Sequence, residues 1–168
     1  GNKTITCGGG GAIITNDPVL AKRAKHITTT AKIPHRWDFV HDEIAYNYRM
    51  PNLNAALACA QLEQLDHFLV SQRKLAEDYA AYFSRQEPTF VTEPADSRSN
   101  YWLNALILKD KKERDAFLEA TNNANVMTRP IWRLMNKLEM YQNAPHGPLE
   151  NSEWLEERVV NIPSSVNL

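Results

Sequence analysis

The sequence is poor in cysteine and lacks any long apolar run. Its 168 residues include only Cys7 and Cys59, too few for the disulfide framework of a small secreted domain, although one bridge stays open as an alternative. No stretch reaches the roughly 18 apolar residues of a membrane helix. The start has neither an initiator Met nor an apolar signal core and resembles mid-protein sequence. We therefore expect a protein of the reducing cytoplasm with no membrane partner.

An excess of charge of one sign is also missing. The chain has 19 Lys and Arg against 20 Asp and Glu, which gives a formal net charge of −1. No bulk positive field is available to attract nucleic acid or anionic lipid, so neither is an expected partner. What is present is a 43% share of hydrophobic residues, near the norm for globular chains. The length suits one domain, or one domain and a fragment.

The first part of the chain predicts two strands and a short helix. Two β-prone runs, residues 4–7 and 12–15, flank the four glycines at 8–11, and this pattern favours a hairpin. The glycines could instead bind phosphate through consecutive backbone N–H groups, but a following Lys-Ser/Thr pair is absent and β-prone residues come next. Asp17 then offers a cap for a helix that reaches about Thr28.

Beyond Pro51 the sequence predicts a long helix and then a small α+β unit. Apolar residues recur at three- and four-residue spacing from residue 52 to about Ser84, and the aromatic residues on this helix are expected to pack in a core. A proline-containing connector follows. The later predicted segments are strands at residues 101–108 and 126–131 and helices at residues 111–122 and 152–158.

Residues 29–51 have no regular period but are dense in aromatic and charged side chains, as segments that carry function often are. His26, His35 and His41 with neighbouring acids could be interpreted as metal ligands, because imidazole and carboxylate suit zinc or iron. Neither a His-Glu-x-x-His helix nor a paired cysteine motif is present, so we expect no metal. A Gly-x-Ser-x-Gly elbow is also absent, which argues against a nucleophilic serine.

Two ordered blocks resemble a known family. Residues 3–17 are similar, position by position, to the segment that begins at the cofactor lysine of DegT/StrS-type sugar aminotransferases, which use pyridoxal 5′-phosphate. Residues 46–56 resemble the family's Asn-Tyr-Arg-Met motif and the helix after it. Weaker similarities at residues 101–103 and 161–165 extend the resemblance along the chain. Residues 35–43 look most like the subgroup that acts on nucleotide-linked keto sugars for legionaminic-acid-type surface glycans.

The resemblance implies an α/β architecture of fold type I. In such proteins a large α/β domain holds the cofactor, and a small α+β domain follows a long helix. Residues 1–50 would be the C-terminal remnant of the large domain, and residues 51–168 the linking helix and small domain. Family members are longer, so the chain would be a C-terminal fragment that lacks most of the cofactor pocket and is inactive by itself.

The resemblance also implies roles for three residues. Lys3 would be the catalytic residue and the covalent anchor of pyridoxal phosphate, which requires a neutral amine and so a lysine that is buried or beside other cations. Asn47 would reach the cofactor phosphate of the other subunit in a two-fold homodimer. Arg49 would contact an anionic group of the substrate, because a guanidinium pairs with carboxylate or phosphate.

Three aromatic or imidazole residues of the irregular segment, His35, Trp37 and His41, would line the entrance for a sugar nucleotide, where a ring can stack on a base or pyranose. Plain packing is an equal alternative for each. The implied reaction moves an amino group from glutamate to a nucleotide-linked keto sugar, 4-keto-6-deoxy in type, for surface polysaccharide synthesis. The alternative function is a non-catalytic relative that serves dimerisation or binds a sugar nucleotide.

Overall fold

The computed structural model describes residues 3–85 and 87–166, and the chain separates into two compact units, Gly1–Leu65 and Asp66–Leu168. The described helices are α1 (Pro18–Thr28), α2 (Asn52–Leu62), α3 (Leu65–Phe83), α4 (Lys111–Asn123) and α5 (Glu150–Glu156), and the strands are β1 (Thr89–Phe90), β2 (Asn104–Ile107), β3 (Arg129–Pro130) and β4 (Val159–Ile162). Two single 3-10 turns, Met135–Lys137 and Glu139–Tyr141, lie between β3 and α5.

Helix α1 in the first unit forms as predicted, because its start is specified locally. The Asp17 carboxylate accepts hydrogen bonds from the backbone N–H groups of Val19 (2.8 Å) and Leu20 (3.2 Å), two of the donors that a helix start leaves unpaired. Pro18 occupies the first turn, where its missing N–H costs nothing. The helix ends at Thr28, the predicted limit.

The predicted hairpin at residues 4–7 and 12–15 is wrong. Within the described part of the chain neither run belongs to a strand, and β propensity alone cannot hold an extended segment without a neighbouring backbone to complete its hydrogen bonds. The backbone of the first run is bonded to side chains of α2 instead. The N–H of Thr6 donates to Gln61 Oε1 at 3.3 Å, and Asn54 Nδ2 donates to the carbonyl of Cys7 at 2.5 Å.

The single long helix predicted from residue 52 to about Ser84 is interrupted. Glu63 and Gln64 form a turn between α2 and α3, where the N–H of Gln64 bonds the carbonyl of Gln61 three residues back instead of four. Asn52 is the first helical residue after Pro51, and no side chain caps this helix start. Apolar spacing continues across the break, so periodicity could not reveal it. The unit boundary follows at Leu65, and the assignment of residues 1–50 to a cofactor-binding domain stays a prediction.

The second unit contains a four-stranded antiparallel sheet in the order β1-β2-β4-β3. Leu106 of β2 lies directly opposite Val160 of β4, and both side chains are completely buried. The strands predicted at 101–108 and 126–131 are present but shorter. Pairing with β4 limits their length, because a strand extends only as far as its partner supplies hydrogen bonds.

One apolar cluster joins this sheet to α3 and α4. Ala76 of α3 is buried with the inward side chains of β2 and β4, and Phe117 and Leu118 of α4 pack against the same cluster. Tyr79 and Phe83 also pack there, whereas Tyr82 is 67% exposed. The expectation of core packing is therefore wrong for Tyr82, since it lies on the outer side of α3.

An ion pair attaches the connector after β1 to α3. The Arg73 guanidinium donates to both oxygens of Glu93, at 2.7 and 3.0 Å, and to the carbonyl of Ser99 at 2.8 Å. The backbone N–H of Ser99 donates to Glu93 at 2.6 Å. Arg73 first, and the Ser99 N–H second, lower the pKa of the Glu93 carboxyl from its ordinary value of 4.5 to about 2. The connector is thus fixed by charge-assisted hydrogen bonds.

Two expectations about the chain's chemistry can be compared directly with the structure. Cys7 and Cys59 are both free thiols, so they do not form the single bridge that stayed open as an alternative. Among the described residues, no helix combines the length and apolar character that crossing a lipid bilayer requires.

Truncating the centre of the sheet should destabilise the second unit strongly. Leu106→Ala should lower the free energy of unfolding by about 2–5 kcal/mol, because it leaves a cavity in a fully buried position. Leu155→Ala is a matched control of the same chemistry at a side chain that is 38% exposed, and should cost less than about 1 kcal/mol. Urea unfolding of the 168-residue chain, followed by tryptophan fluorescence, measures both. Equal losses would contradict the assigned core.

The Glu93 ion pair should make stability depend on acid. The folded state lowers the pKa of this carboxyl, so its stabilising contribution is complete above about pH 4.5 and is lost as the pH falls towards 2. Glu93→Gln should therefore reduce the urea midpoint at pH 7 and flatten its decline between pH 4.5 and 2.5. Asp78→Asn, which removes an exposed ion pair with Lys74, should change neither. An unaltered acid profile in Glu93→Gln would refute the assignment.

Candidate functional site

The candidate site is organised by backbone hydrogen bonds between the end of α1 and residues 42–49, which we call the site loop. The N–H of Tyr46 donates to the carbonyl of Ile27 at 2.8 Å, and the N–H of Thr30 donates to the carbonyl of Tyr46 at 3.0 Å. The N–H of Tyr48 donates to the carbonyl of Thr28 at 2.9 Å. These bonds place the loop antiparallel to residues 27–30, with Asn47 opposite Thr29.

Ion pairs attach the same loop to the outer face of α1. Arg23 donates to both carboxylate oxygens of Glu43, with an Nη2–Oε2 distance of 2.6 Å, and His26 Nε2 lies 2.7 Å from Asp42 Oδ1. The neighbouring guanidinium lowers the pKa of the Glu43 carboxyl. The site loop, which carries Asn47, is therefore fixed to α1 by backbone hydrogen bonds and by side-chain contacts between charged groups.

His26, Asp42 and Glu43 bring their potential ligand atoms within 4.8 Å of one another, a geometry that could suit a metal ion. Both oxygens of Glu43 are already bonded to Arg23, so a cation would have to displace a guanidinium. In this structure the three residues and Arg23 form a hydrogen-bonded network. The expectation of no metal stays a prediction.

Three of the six predicted site residues line one cavity of about 590 Å³: His35, Asn47 and Arg49. Its remaining wall is formed by residues of the turn that follows α1, namely Thr29, Thr30, Lys32 and Pro34. Thr30 has a φ of 70°, which is costly for a β-branched residue. Such strain persists only where surrounding bonds enforce it, and here the pairing with the site loop does so.

The other predicted residues lie outside that wall. The indole of Trp37 packs edge-on against the His35 ring, with centroids 5.1 Å apart, and His41 Nδ1 bonds the carbonyl of Thr30 at 2.6 Å. His41 therefore supports the strained turn. Lys3 is exposed in the described chain and does not belong to the residues that line this cavity.

A second cavity, of about 830 Å³, also has Arg49 in its wall. It is bounded by the glycine run at residues 9–11, by Lys25 and by Tyr48. Gly10 has a φ of 146°, which residues with a side chain rarely adopt, so this position favours glycine. Gly9 and Gly11 have open space around them. The glycines thus shape a cavity wall next to the Asn-Tyr-Arg-Met segment.

Lys32 is the charged lining residue that sequence reasoning missed. It lies within the irregular segment, but nothing in its spacing distinguishes it from other surface lysines. Its position follows from an isolated bridge with His41 and from the bond between the Ile33 N–H and the Val40 carbonyl, 2.9 Å long. Only the tertiary pairing brings it to the same cavity as Asn47 and Arg49.

The described fold is that of the C-terminal part of sugar aminotransferases. CalS13 from Micromonospora echinospora superposes with a TM-score of 0.83 at 23% identity, over 96% of this chain and 44% of that protein. Spr1654 from Streptococcus pneumoniae in its PLP form gives a TM-score of 0.79 at 15% identity, over 94% and 41% of the two chains, and it is also known in a PMP form. The predicted fold type I architecture is confirmed.

The sequence pattern of the DegT/DnrJ/EryC1/StrS aminotransferase family matches residues 1–168, and the chain belongs to this family. GDP-perosamine synthase of Escherichia coli O157:H7 is 34% identical over 170 residues, which cover all of this chain and 45% of that protein. The chain thus spans less than half the length of the curated relatives it matches. The family prediction is confirmed, and the PLP-form and PMP-form neighbour agrees with the predicted cofactor class.

Removing the Glu43 carboxylate should loosen the site loop. Glu43→Gln loses the charge that pairs with Arg23, so amide exchange at residues 44–49 should accelerate by at least about threefold, because local opening there becomes easier. Amides of β2 and β4 should exchange as before. Glu63→Gln, an exposed site between α2 and α3, is the matched control. Hydrogen exchange mass spectrometry measures this, and unchanged protection of the loop would show that the ion pair does not hold it.

Proposed function

We propose that this chain is the C-terminal part of a pyridoxal phosphate-dependent aminotransferase that transfers an amino group from glutamate to a nucleotide-linked keto sugar. The family membership supports the reaction class. The observation that carries the proposal for the site is the meeting of His35, Asn47 and Arg49 at one cavity. The family motif assigns a cofactor role to Asn47 and a substrate role to Arg49, and His35 was expected at the sugar-nucleotide entrance with plain packing as an equal alternative.

The residues at this cavity fit a phosphorylated cofactor. An amide, a guanidinium and an imidazole all offer N–H donors, and no Asp or Glu belongs to the described wall. Asn47 is assigned to the cofactor phosphate, to which its side-chain amide donates a neutral hydrogen bond. Arg49 is assigned to an anionic group of the substrate, which it can bind with two parallel hydrogen bonds. His35, Trp37 and His41 are assigned to the sugar-nucleotide entrance.

Lys3 is assigned the catalytic role. Pyridoxal phosphate, when bound, supplies a carbonyl that captures the amino group and a ring that absorbs electrons from the adjacent carbon. The Lys3 amine holds the cofactor covalently in the resting protein and, once released, moves a proton between carbon positions as a general base. A base must be unprotonated, so the exposed lysine of this chain has to be enclosed by other parts of the complete protein.

A homodimer is part of the proposal, because Asn47 in this family serves the cofactor of the other subunit. The first unit also exposes large apolar side chains, such as Ile14 at 93% and Ile44 at 90%. Apolar surface of this kind is typical of surfaces that contact more protein. Because the proposed site needs a second subunit, the 168-residue chain alone is proposed to be inactive. The complete enzyme is proposed to be cytoplasmic.

The proposed substrate is a nucleotide-linked 4-keto-6-deoxy sugar for surface polysaccharide. The relatives from Escherichia coli and Vibrio cholerae are GDP-perosamine synthases, which supports a nucleotide sugar. The narrower legionaminic-acid-type subgroup, expected from residues 35–43, stays a proposal. Its support is the position of His35 in the cavity wall and of Trp37 against His35.

Trapping the cofactor should identify Lys3 directly. Borohydride treatment of the longer protein that contains this sequence should fix a pyridoxyl group on the peptide with Lys3, because reduction makes the covalent attachment permanent. Lys3→Arg should yield no adduct, while Lys22→Arg should match the wild type. Peptide mass spectrometry measures the site. An adduct on another lysine would overturn the assignment.

The same protein separates the enzyme from the non-catalytic alternative. An enzyme of this class should be yellow and should lose that colour when glutamate is added, since the amino group then passes to the cofactor. A colourless protein that still dimerises would instead favour a relative that serves assembly or binds a sugar nucleotide without converting it.

A further inference from the structure

Positive charge accumulates without a counter-charge around the 590 Å³ cavity. Lys32 and Arg49 both line it, and among the described residues neither has a carboxylate within the 4.0 Å of an ion pair. Elsewhere cations such as Arg23 and Arg73 are paired with acids. Other described cations, such as Lys22 and Lys111, are also in no ion pair, so the distinguishing feature of Lys32 and Arg49 is that both line one cavity whose described wall contains no acid.

The Lys32 ammonium is oriented but not neutralised by its neighbours. Its Nζ lies 3.8 Å from the centroid of the Phe39 ring, a cation–π contact that leaves the positive charge intact. The backbone of Lys32 is fixed by the bridge to His41. The preceding residues Thr30 and Ala31 have φ values of 70° and 46°, so the chain reverses sharply just before this lysine. The backbone of Lys32 is thus fixed at the cavity wall, and its ammonium lies against the Phe39 ring.

His35 adds a donor of defined orientation. Its Nδ1 accepts a hydrogen bond from the backbone N–H of Asp38 at 2.9 Å. A backbone N–H can only donate, so the neutral imidazole carries its proton on Nε2. That nitrogen is therefore a hydrogen-bond donor in the neutral ring. The same contact fixes the ring in the turn that forms the cavity wall.

The wall thus offers an ammonium, a guanidinium, an amide and an imidazole N–H, with no acidic side chain among its described residues. The ammonium and the guanidinium favour anionic oxygens, and the amide and the imidazole N–H can donate to the same group, so a ligand with several anionic oxygens suits this set of donors. A volume of about 590 Å³ is large for a single phosphate and is typical of sites for small organic ligands. A phosphate ester or diphosphate of an organic molecule satisfies both conditions.

We propose that Lys32 is a phosphate-binding residue of this cavity and acts with Arg49 on a phosphate monoester or diphosphate. The inference rests on the proposed function and deepens it, because that function assigns only Asn47, Arg49 and His35 to this wall. The phosphate could belong to the cofactor or to the nucleotide of the substrate. The chemistry of recognition is the same for both, and binding measurements on Lys32 variants distinguish them.

The test uses the longer protein that contains this sequence, freed of cofactor. Three variants are compared with the wild type: Lys32→Ala, Lys32→Arg and the control Lys22→Ala, whose side chain is exposed on α1. Calorimetry measures the binding of pyridoxal phosphate, GDP and inorganic pyrophosphate at low and at moderate salt. Circular dichroism confirms that each variant is folded.

Lys32→Ala should weaken binding of at least one phosphate probe by about 10- to 100-fold, the loss typical of a hydrogen bond to a charged group. Lys32→Arg should restore most of the affinity, and Lys22→Ala should bind as the wild type does. Weaker pyridoxal phosphate binding identifies the cofactor phosphate as the ligand, and weaker GDP and pyrophosphate binding identifies the nucleotide diphosphate. The difference between wild type and Lys32→Ala should shrink as salt screens the charge.

Unchanged affinity of a folded Lys32→Ala variant for all three probes would overturn the inference. Failure of the proposed function gives a different result. In that case borohydride leaves no adduct on Lys3, yet pyrophosphate can still bind in a manner that depends on Lys32, and the anion site stands without the transaminase. If the Lys3 adduct forms but the Lys32 variants bind every probe as the wild type does, the proposed function stands and only the role of Lys32 is refuted.

Discussion

The candidate site depends on the backbone pairing of the site loop with the end of α1. In the first unit Ala31 is the one apolar side chain that is buried among the described residues, so burial contributes little to its order. Peptide hydrogen bonds, each worth a net of about 0.5–1.5 kcal/mol, the ion pair between Arg23 and Glu43 and the hydrogen bond between His26 and Asp42 hold the loop instead. A unit stabilised in this way has a small free energy of unfolding. Protein packed on its exposed apolar side chains would increase that free energy.

The second unit obtains its stability from a different source. Leu106, Val160 and the residues around them exclude water between a sheet and two helices, which is the arrangement that makes an antiparallel sheet stable with one face buried. The Arg73 and Glu93 pair then fixes the connector at the edge of this unit. The two units therefore differ in kind: one is organised by a core, the other by polar contacts that leave its functional side chains accessible.

Charge in this protein is informative only when its position is known. A net charge near zero excludes a global field, yet Lys32 and Arg49 meet at one cavity without an acid, while Arg23 and Glu43 neutralise each other nearby. The composition gives the number of charged residues but not which of them form ion pairs. Local electrostatics at the proposed phosphate site is thus a property of the fold, produced by a strained turn at Thr30 that brings distant residues together.

The sequence by itself determined α1 and α4, because their caps at Asp17 and Asp110 act on backbone groups two or three residues away, and its motifs identified the family. It did not determine the hairpin expected around the glycine run or the unbroken helix after Pro51. Strands need a partner backbone, and a stripe of apolar residues continues across a turn at Glu63 and Gln64. Only the tertiary structure decided that Lys32 shares a cavity with Asn47, since contacts between segments 15 residues apart depend on backbone pairing that spacing does not encode.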